Sequence, residues 1–464
     1  MKIERLENVM QQRRDSMLGY MAVLAVCMYL IEIWFAIDWL QYLYSPLAVV
    51  LVICSLWRLR GFNLYILLLL LIIAFYIFID RDVHFTVMLA SFGENMSLLG
   101  LFILVPLFGV YLSNAGYYGA LSELIQKREE VKGAHPYRLG YGLTAFMGSI
   151  LNLGSLPLIF RMGQESLSSF GQKQFALTLM RAFGFCMLFS PYFVNVGLVL
   201  VLYDLAWLEI AGFAVILAVI YTIMAALFFK RTTFANEVYQ VKRKEEQRKV
   251  TEATVPGFVF YMLCLLLLSF LLELALPLNM LTVVTTLALV YPFIWALFKR
   301  MGMVYMQAAH EYMKLSFTRL YRELGIFITA GVIGAAIAVT GMGVIVSEWL
   351  VNISNGIVPV IIFILIMISI LLALVGIHPV IIIIGLGSAL SPGMFGMEPS
   401  VMAVVLLCAW ALSTQLSPFS GSVLMTSYLA DESSGQLTKK NVGFVMALVG
   451  VMTAVLTVFH IFQS

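Results

Sequence analysis

The chain has 464 residues, of which 62% are hydrophobic and 11% charged, and its formal net charge is +3. Ordinary soluble domains carry about 25% charged residues, and no water-facing fold could hide so large an apolar share, so soluble enzymes and nucleic-acid-binding proteins are excluded. Continuous runs of about 20 apolar residues, the length of a membrane-spanning helix, recur along the chain. Strands of an outer-membrane barrel would alternate instead. The fold class is therefore all-α integral membrane, with about 11 transmembrane helices plus two re-entrant hairpins.

The basic N-terminus MKIERLENVMQQRRDSMLGY leads into an apolar run without a small-residue cleavage site and reads as an uncleaved first helix. Full crossings are expected at 17–37, 44–57, 63–80, 96–115, 174–203, 208–229, 256–274, 280–298, 326–346, 400–427 and 441–461. Two further apolar stretches, 139–160 and 357–391, are interrupted midway by Gly and Pro and read as hairpins that enter and leave on one side. With the N-terminus in the cytoplasm, all of the 28 Lys and Arg except Arg81 and Arg181 fall in cytoplasmic segments. The positive-inside rule demands such a bias, and it places the C-terminus outside an inner or plasma membrane. Arg181, near a helix end, is expected to snorkel to the interface.

Four regions follow: N-terminal scaffold helices over 1–85; a first inverted repeat over 86–229, with its hairpin at 139–160 and a broken helix at 174–203; a cytoplasmic basic linker over 230–255; and a second half over 256–464, with its hairpin at 357–391 and a broken helix at 400–427. The linker charges read as topogenic, and no nucleic-acid partner is expected. Residues 300–324 fit an amphipathic helix on the cytoplasmic face. Cys27, Cys54, Cys186, Cys264 and Cys408 lie in apolar runs without ligand spacing, so neither a metal site nor a disulfide is expected.

The two halves resemble each other. At an offset of 225, Gly109, Gly116, Ser122 and Glu123 fall on Gly334, Gly341, Ser347 and Glu348. Downstream, the Gly-x-x-Pro of Gly154 and Pro157 matches Gly376 and Pro379. The Ser-Pro-aromatic at Ser190 and Pro191 matches Ser417 and Pro418. The charge-derived topology runs the two halves in opposite directions, so the repeat is inverted.

Pro157, Pro191, Pro379 and Pro418 are read as structural helix breaks, because proline removes a backbone donor and broken backbone is tolerated at membrane depth only in protein or a watery cavity. Half-helix N-termini suit anions, while carbonyls and hydroxyls suit Na⁺. The polar residues around the breaks are the candidate solute-binding set: Asn152, Gly154, Ser155, Ser190, Asn195, Gly376, His378, Ser413, Thr414, Gln415, Ser417 and Ser420. Na⁺ could be held near Ser155, Ser190 and Ser417. No other cofactor is expected, and the coupling ion is Na⁺ or H⁺.

Eleven helices, hairpins after the fourth and ninth, and interrupted fifth and tenth helices resemble the ion-transporter superfamily, nearest in architecture to its divalent anion:sodium symporter branch. The resemblance spans residues from about 40 to 464. It implies an elevator mechanism, in which hairpins and broken helices move against a scaffold, and a homodimer. The tips depart from that branch: it carries Ser-Asn-Thr, and this chain carries Leu-Gly-Ser-Leu-Pro and Gly-Ile-His-Pro.

The function expected is an ion-coupled secondary transporter (permease) for a small solute, by preference an anion, with membrane lipid as its surroundings. The alternatives are an uncoupled channel or facilitator and a membrane-embedded enzyme acting on lipid-linked substrates. The enzyme lacks the Asp, Glu or His cluster its chemistry needs.

Overall fold

A computed structural model describes residues 2–132, 135–167, 169–234, 237, 239–241 and 253–463. Most of the basic linker's charge, at 242–249, lies outside the described residues. The protein is an all-α integral membrane protein, and among the described residues 13 helices are long and apolar enough to cross a bilayer. Two of them, Pro136–Ser166 and Val358–Val375, belong to stretches that the sequence reads as hairpins. Within an apolar slab a helix satisfies its own backbone, which is why β-structure among the described residues is confined to one short ladder, Ser169–Gly171 against Tyr239–Val241.

The chain divides into two compact units. The first comprises Met1–Tyr111, Leu281–Ser347 and Ile384–Leu390. Its helix Ser316–Thr340 packs on Gln41–Arg58, Phe62–Asp80 and Lys2–Phe35. Between lipid-facing helices no hydrophobic force is gained, so close packing and polar ties hold them. Here such ties include Asn95 Nδ2 to the Phe327 carbonyl at 2.9 Å, Trp34 Nε1 to Thr286 at 2.9 Å and the ion pair of Arg58 with Asp15 at 2.9 Å. The expected amphipathic segment begins as a separate helix, Gly302–Lys314, and then enters the span.

The second unit comprises Leu112–Met280, Glu348–Ile383 and Ser391–Ser464. Its axis is helix Pro399–Leu416, buried at every residue from Val401 onward. Around it pack Val358–Val375, Ser434–Gln463, Gln172–Phe189, Val194–Leu202 and Trp207–Phe229. Gly184 lets Gln172–Phe189 approach this axis: a Cβ there would sit 2.8 Å from Gln415 Nε2 and 2.8 Å from the Tyr221 ring.

Residues 230–234, together with Glu237 and Tyr239–Val241, fold back over one end of this unit as a strap. Thr232 is buried, and Lys440 donates to the Thr233 carbonyl at 2.8 Å. Phe234 packs on Leu177, Met180, Val423 and Leu437, while the Lys173 N–H donates to Glu237 at 2.8 Å. The Lys173 ammonium pairs with Glu432 at 2.7 Å, both side chains largely shielded.

Two predictions follow from this packing. Gly184→Ala should cost about 1–3 kcal/mol through overpacking, read as a lower thermal midpoint, whereas Gly212→Ala, with open space around it, should change stability by no more than about 0.5–1 kcal/mol. The hydrogen bond from Lys173 holds the Glu432 carboxyl below its usual range. The pair's stabilisation is therefore present above the unfolded carboxylate value of about 4.3 and is lost as pH falls through the lower folded value. The difference in midpoint between the wild type and Glu432→Gln should accordingly close as pH drops from about 6 to about 3.

Candidate solute site

The two helix breaks lie in the second unit and are built alike. Helix Gln172–Phe189 stops at Ser190-Pro191, and the chain resumes as Val194–Leu202. Helix Pro399–Leu416 stops at Ser417-Pro418 and resumes as Gly421–Ala430. Proline lacks the N–H that would bond the carbonyl four residues back, so Pro191 orphans the Met187 carbonyl and Pro418 that of Thr414. Both orphans are repaired by a side chain from just past the break. Asn195 Nδ2 donates to Met187 O at 2.5 Å, and Ser420 Oγ donates to Thr414 O at 2.7 Å.

The serine before each proline ties its break to a neighbouring helix that ends at a tip. Ser190 Oγ donates to Ser149 O at 2.5 Å, and Ser417 Oγ donates to Ala373 O at 2.7 Å. Each acceptor lies three residues before a tip residue with positive φ, Asn152 at 56° and Gly376 at 105°. The same hydroxyls then accept backbone N–H groups, of Tyr192 and of Phe419, both at 3.3 Å. Gly421 joins the two constructions, since a Cβ on it would meet Leu153 of the first tip at 3.1 Å.

The tips themselves start new helices. Ser155 opens Ser155–Ser166 and donates to Asn152 O at 2.8 Å. Gly154 is exposed, with open space beside it. Half-buried His378 precedes Pro379–Ala389, and its Nδ1 accepts the Val380 N–H at 3.3 Å. Pro157 and Pro379 occupy first turns, where the missing N–H has no intrahelical role, so it is Pro191 and Pro418 that sit at the interruptions.

Of the other candidates on Pro399–Leu416, Ser413 donates to the Trp410 carbonyl at 2.9 Å. Gln415 bridges to the Met180 carbonyl at 3.0 Å and accepts from Asn441. Thr414 is buried, and its hydroxyl has no partner. Among the described residues, no three His, Cys, Asp or Glu come together as a metal set. The oxygens at the breaks are hydroxyls and carbonyls, a hard donor set.

Arg181 does not snorkel. It is 3% exposed, donating from Nε to Asn441 Oδ1 at 3.0 Å and from Nη2 to Thr232 Oγ1 at 3.0 Å. These acceptors satisfy the guanidinium inside the protein, which removes the incentive to reach for water. The sequence reading also missed the capping role of Asn195. The spacing Pro-x-x-x-Asn was its available signal.

The thirteen apolar helices among the described residues define a multi-pass membrane protein. Residues 174–461 match the family described as tripartite ATP-independent periplasmic transporter, DctM component, and the chain belongs to that family. The family is one of inner-membrane transporters rather than enzymes. It differs from the divalent anion:sodium symporter branch that the architecture resembles, in keeping with tips that lack Ser-Asn-Thr. No curated protein matches the chain.

Removing either repair should destabilise the second unit. Ser420→Ala and Asn195→Leu should each lower stability by about 1–3 kcal/mol, the cost of a buried orphan carbonyl, measured as the thermal midpoint of the purified chain.

Proposed function

We propose that the chain is an ion-coupled secondary transporter that carries a small anionic solute across the inner membrane by an elevator motion. The solute would sit among Asn152, Gly154, Ser155, Ser190, Asn195, Gly376, His378, Thr414, Ser417 and Ser420. The observation carrying this reading is the matched Ser-Pro construction of the two breaks, each followed by a resuming half-helix, at Val194 and at Gly421. The first N–H groups of a helix lack intrahelical partners and favour negative charge.

Na⁺ is the coupling ion this donor set suits, held near Ser155, Ser190 and Ser417, with H⁺ the other choice. DctM components work with a substrate-binding protein and a DctQ component, and the same partnership is proposed here. The inverted orientation of the repeats belongs to this reading as well. The repeat itself, though not its orientation, is supported by Gly116 and Gly341, paired in sequence and both at positive φ, 77° and 66°. So does the orientation that places the N-terminus in the cytoplasm and the C-terminus outside.

The test titrates the purified chain with small carboxylates and inorganic oxyanions, in Na⁺ and in choline. A ligand of the folded state raises the thermal midpoint by mass action. The expected outcome is one anion whose stabilisation grows in Na⁺ or at lower pH and disappears in Ser417→Ala/Ser420→Ala. Stabilisation indifferent to both cations, with proteoliposome flux above carrier rates, would mark a channel instead.

A further inference from the structure

One end of the first unit gathers basic residues that its own carboxylates do not balance. Asp15, Arg58 and Tyr321 meet there: Arg58 Nη2 lies 2.9 Å from Asp15 Oδ2, and the Arg58 guanidinium carbon is 5.5 Å from the Tyr321 ring centre. Helix Gly302–Lys314 closes the same end, with the Lys314 carbonyl 2.7 Å from where a Cβ on Gly19 would sit. Over residues 10–20, 55–62 and 297–325, which build this end, the sequence holds nine Lys and Arg against three Asp and Glu. An excess of that size is a field that an anion lowers.

Two of these charges are seated on one ring. The Arg322 guanidinium carbon is 5.8 Å from the Tyr321 ring centre, and Arg322 Nε donates to the Tyr321 hydroxyl at 3.2 Å. Asp15 pairs with Arg58 alone, while Glu323, next to Arg322 in sequence, acts on it electrostatically without a hydrogen bond between them. The attraction of each guanidinium to the ring does nothing to cancel the repulsion between the two. Nor does the helix offset it. Arg319 and Arg322 lie in the first two turns of Ser316–Thr340, where the macrodipole is itself positive, and the first turn holds no acidic residue.

Phosphate is the chemistry that answers such a pair, because a guanidinium fork matches its oxygens. A free phosphate would leave a second feature without a role. Trp57, next to Arg58, is 83% exposed, and Phe298, next to Lys299, is 79% exposed. Large apolar side chains interleaved with cations fit a ligand that is anionic at one end and hydrocarbon at the other, the arrangement found at the headgroup level of a bilayer.

We infer that Arg58 and Arg322, seated on Tyr321, form a specific site for the headgroup phosphate of an anionic phospholipid. Arg322 is exposed and supplies the reachable fork, and Asp15 with Tyr321 holds Arg58 in place. Asp15, Trp57 and Arg58 precede the residues that match the family, so the family match does not supply this site. It lies within the first unit and depends neither on the helix breaks nor on the solute.

The test uses the purified full-length chain in a non-ionic detergent, with the thermal midpoint as readout. Dihexanoyl-phosphatidylglycerol, kept below its micellar concentration, is titrated against dihexanoyl-phosphatidylcholine, which has the same chains and no net charge. Glycerol phosphate and inorganic phosphate, which have no chains, are the further comparisons. The expected outcome is a saturable rise with the anionic lipid that weakens at high salt, and none with the other three at the same concentration. Arg322→Gln should raise the half-saturating concentration about tenfold, the loss of one charge-assisted contact. Arg322→Lys, the substitute if the glutamine variant does not fold, and Tyr321→Leu should each raise it several-fold. Tyr321→Phe, which keeps the ring, and Arg60→Gln, which removes an exposed charge two residues from Arg58, should leave it nearly unchanged.

Equal shifts with the glycerol and choline lipids overturn the inference, as does an unchanged half-saturation in Arg322→Gln or Arg322→Lys. If Arg60→Gln weakens the response as much as Arg322→Gln, the attraction is that of a diffuse basic surface and the assigned site falls. Glycerol phosphate or inorganic phosphate acting at the lipid's concentration would make this a soluble-anion site and overturn the lipid. A variant with a lower midpoint in the absence of lipid is judged on half-saturation, which a merely structural role for Arg322 would not move.

Discussion

A backbone carbonyl stripped of its donor by proline cannot be left bare in hydrocarbon, and the second unit is organised around meeting that demand at Met187 and Thr414. In water the repair would be free of consequence, since solvent would supply the missing donor. Inside the protein at membrane depth no solvent supplies that donor, so the protein must bring one of its own. Asn195 and Ser420 do so from just past each break. With those carbonyls satisfied, each break can stay open as non-helical backbone, and Ser420 also caps its resuming helix by accepting the Val423 N–H at 3.3 Å.

Most of this architecture was legible in the sequence because membrane spans are written in composition and length. The helices Gln172–Phe189 and Pro399–Leu416 end within a residue or two of where Ser-Pro demands it. The tips were readable less sharply: the second run turns at Gly376 as its glycine suggests, whereas the first turns at Asn152, at φ 56°, and not at Gly154. Hydrogen-bond destinations were not readable. Ser190 and Ser417 look like any serine in an apolar helix, and only the fold brings Ser149 O and Ala373 O within reach. Gln415 stood among the candidate solute ligands, yet it spends its amide on Met180 and Asn441.

Arg181 failed for a related reason. Its distance from a helix end suggested an interfacial charge, because sequence distance is the only depth gauge a single chain offers. The acceptors that hold it inward come from 51 and 260 residues away. A polar residue inside an apolar run, Asn441, was the visible half of that arrangement, and the strap residue Thr232 the invisible half.

The serine ties constrain how any motion could be divided. A hydroxyl that donates to one helix and accepts from its own broken backbone welds the break to its neighbour, so a break cannot shift without carrying the adjoining tip. Because both breaks are welded in the same way and Gly421 lies against Leu153, deforming one construction strains the other. Packed elements that resist partial deformation tend to move as a body. Internal ties of this kind therefore favour keeping both breaks and both tip-bearing helices of this unit together.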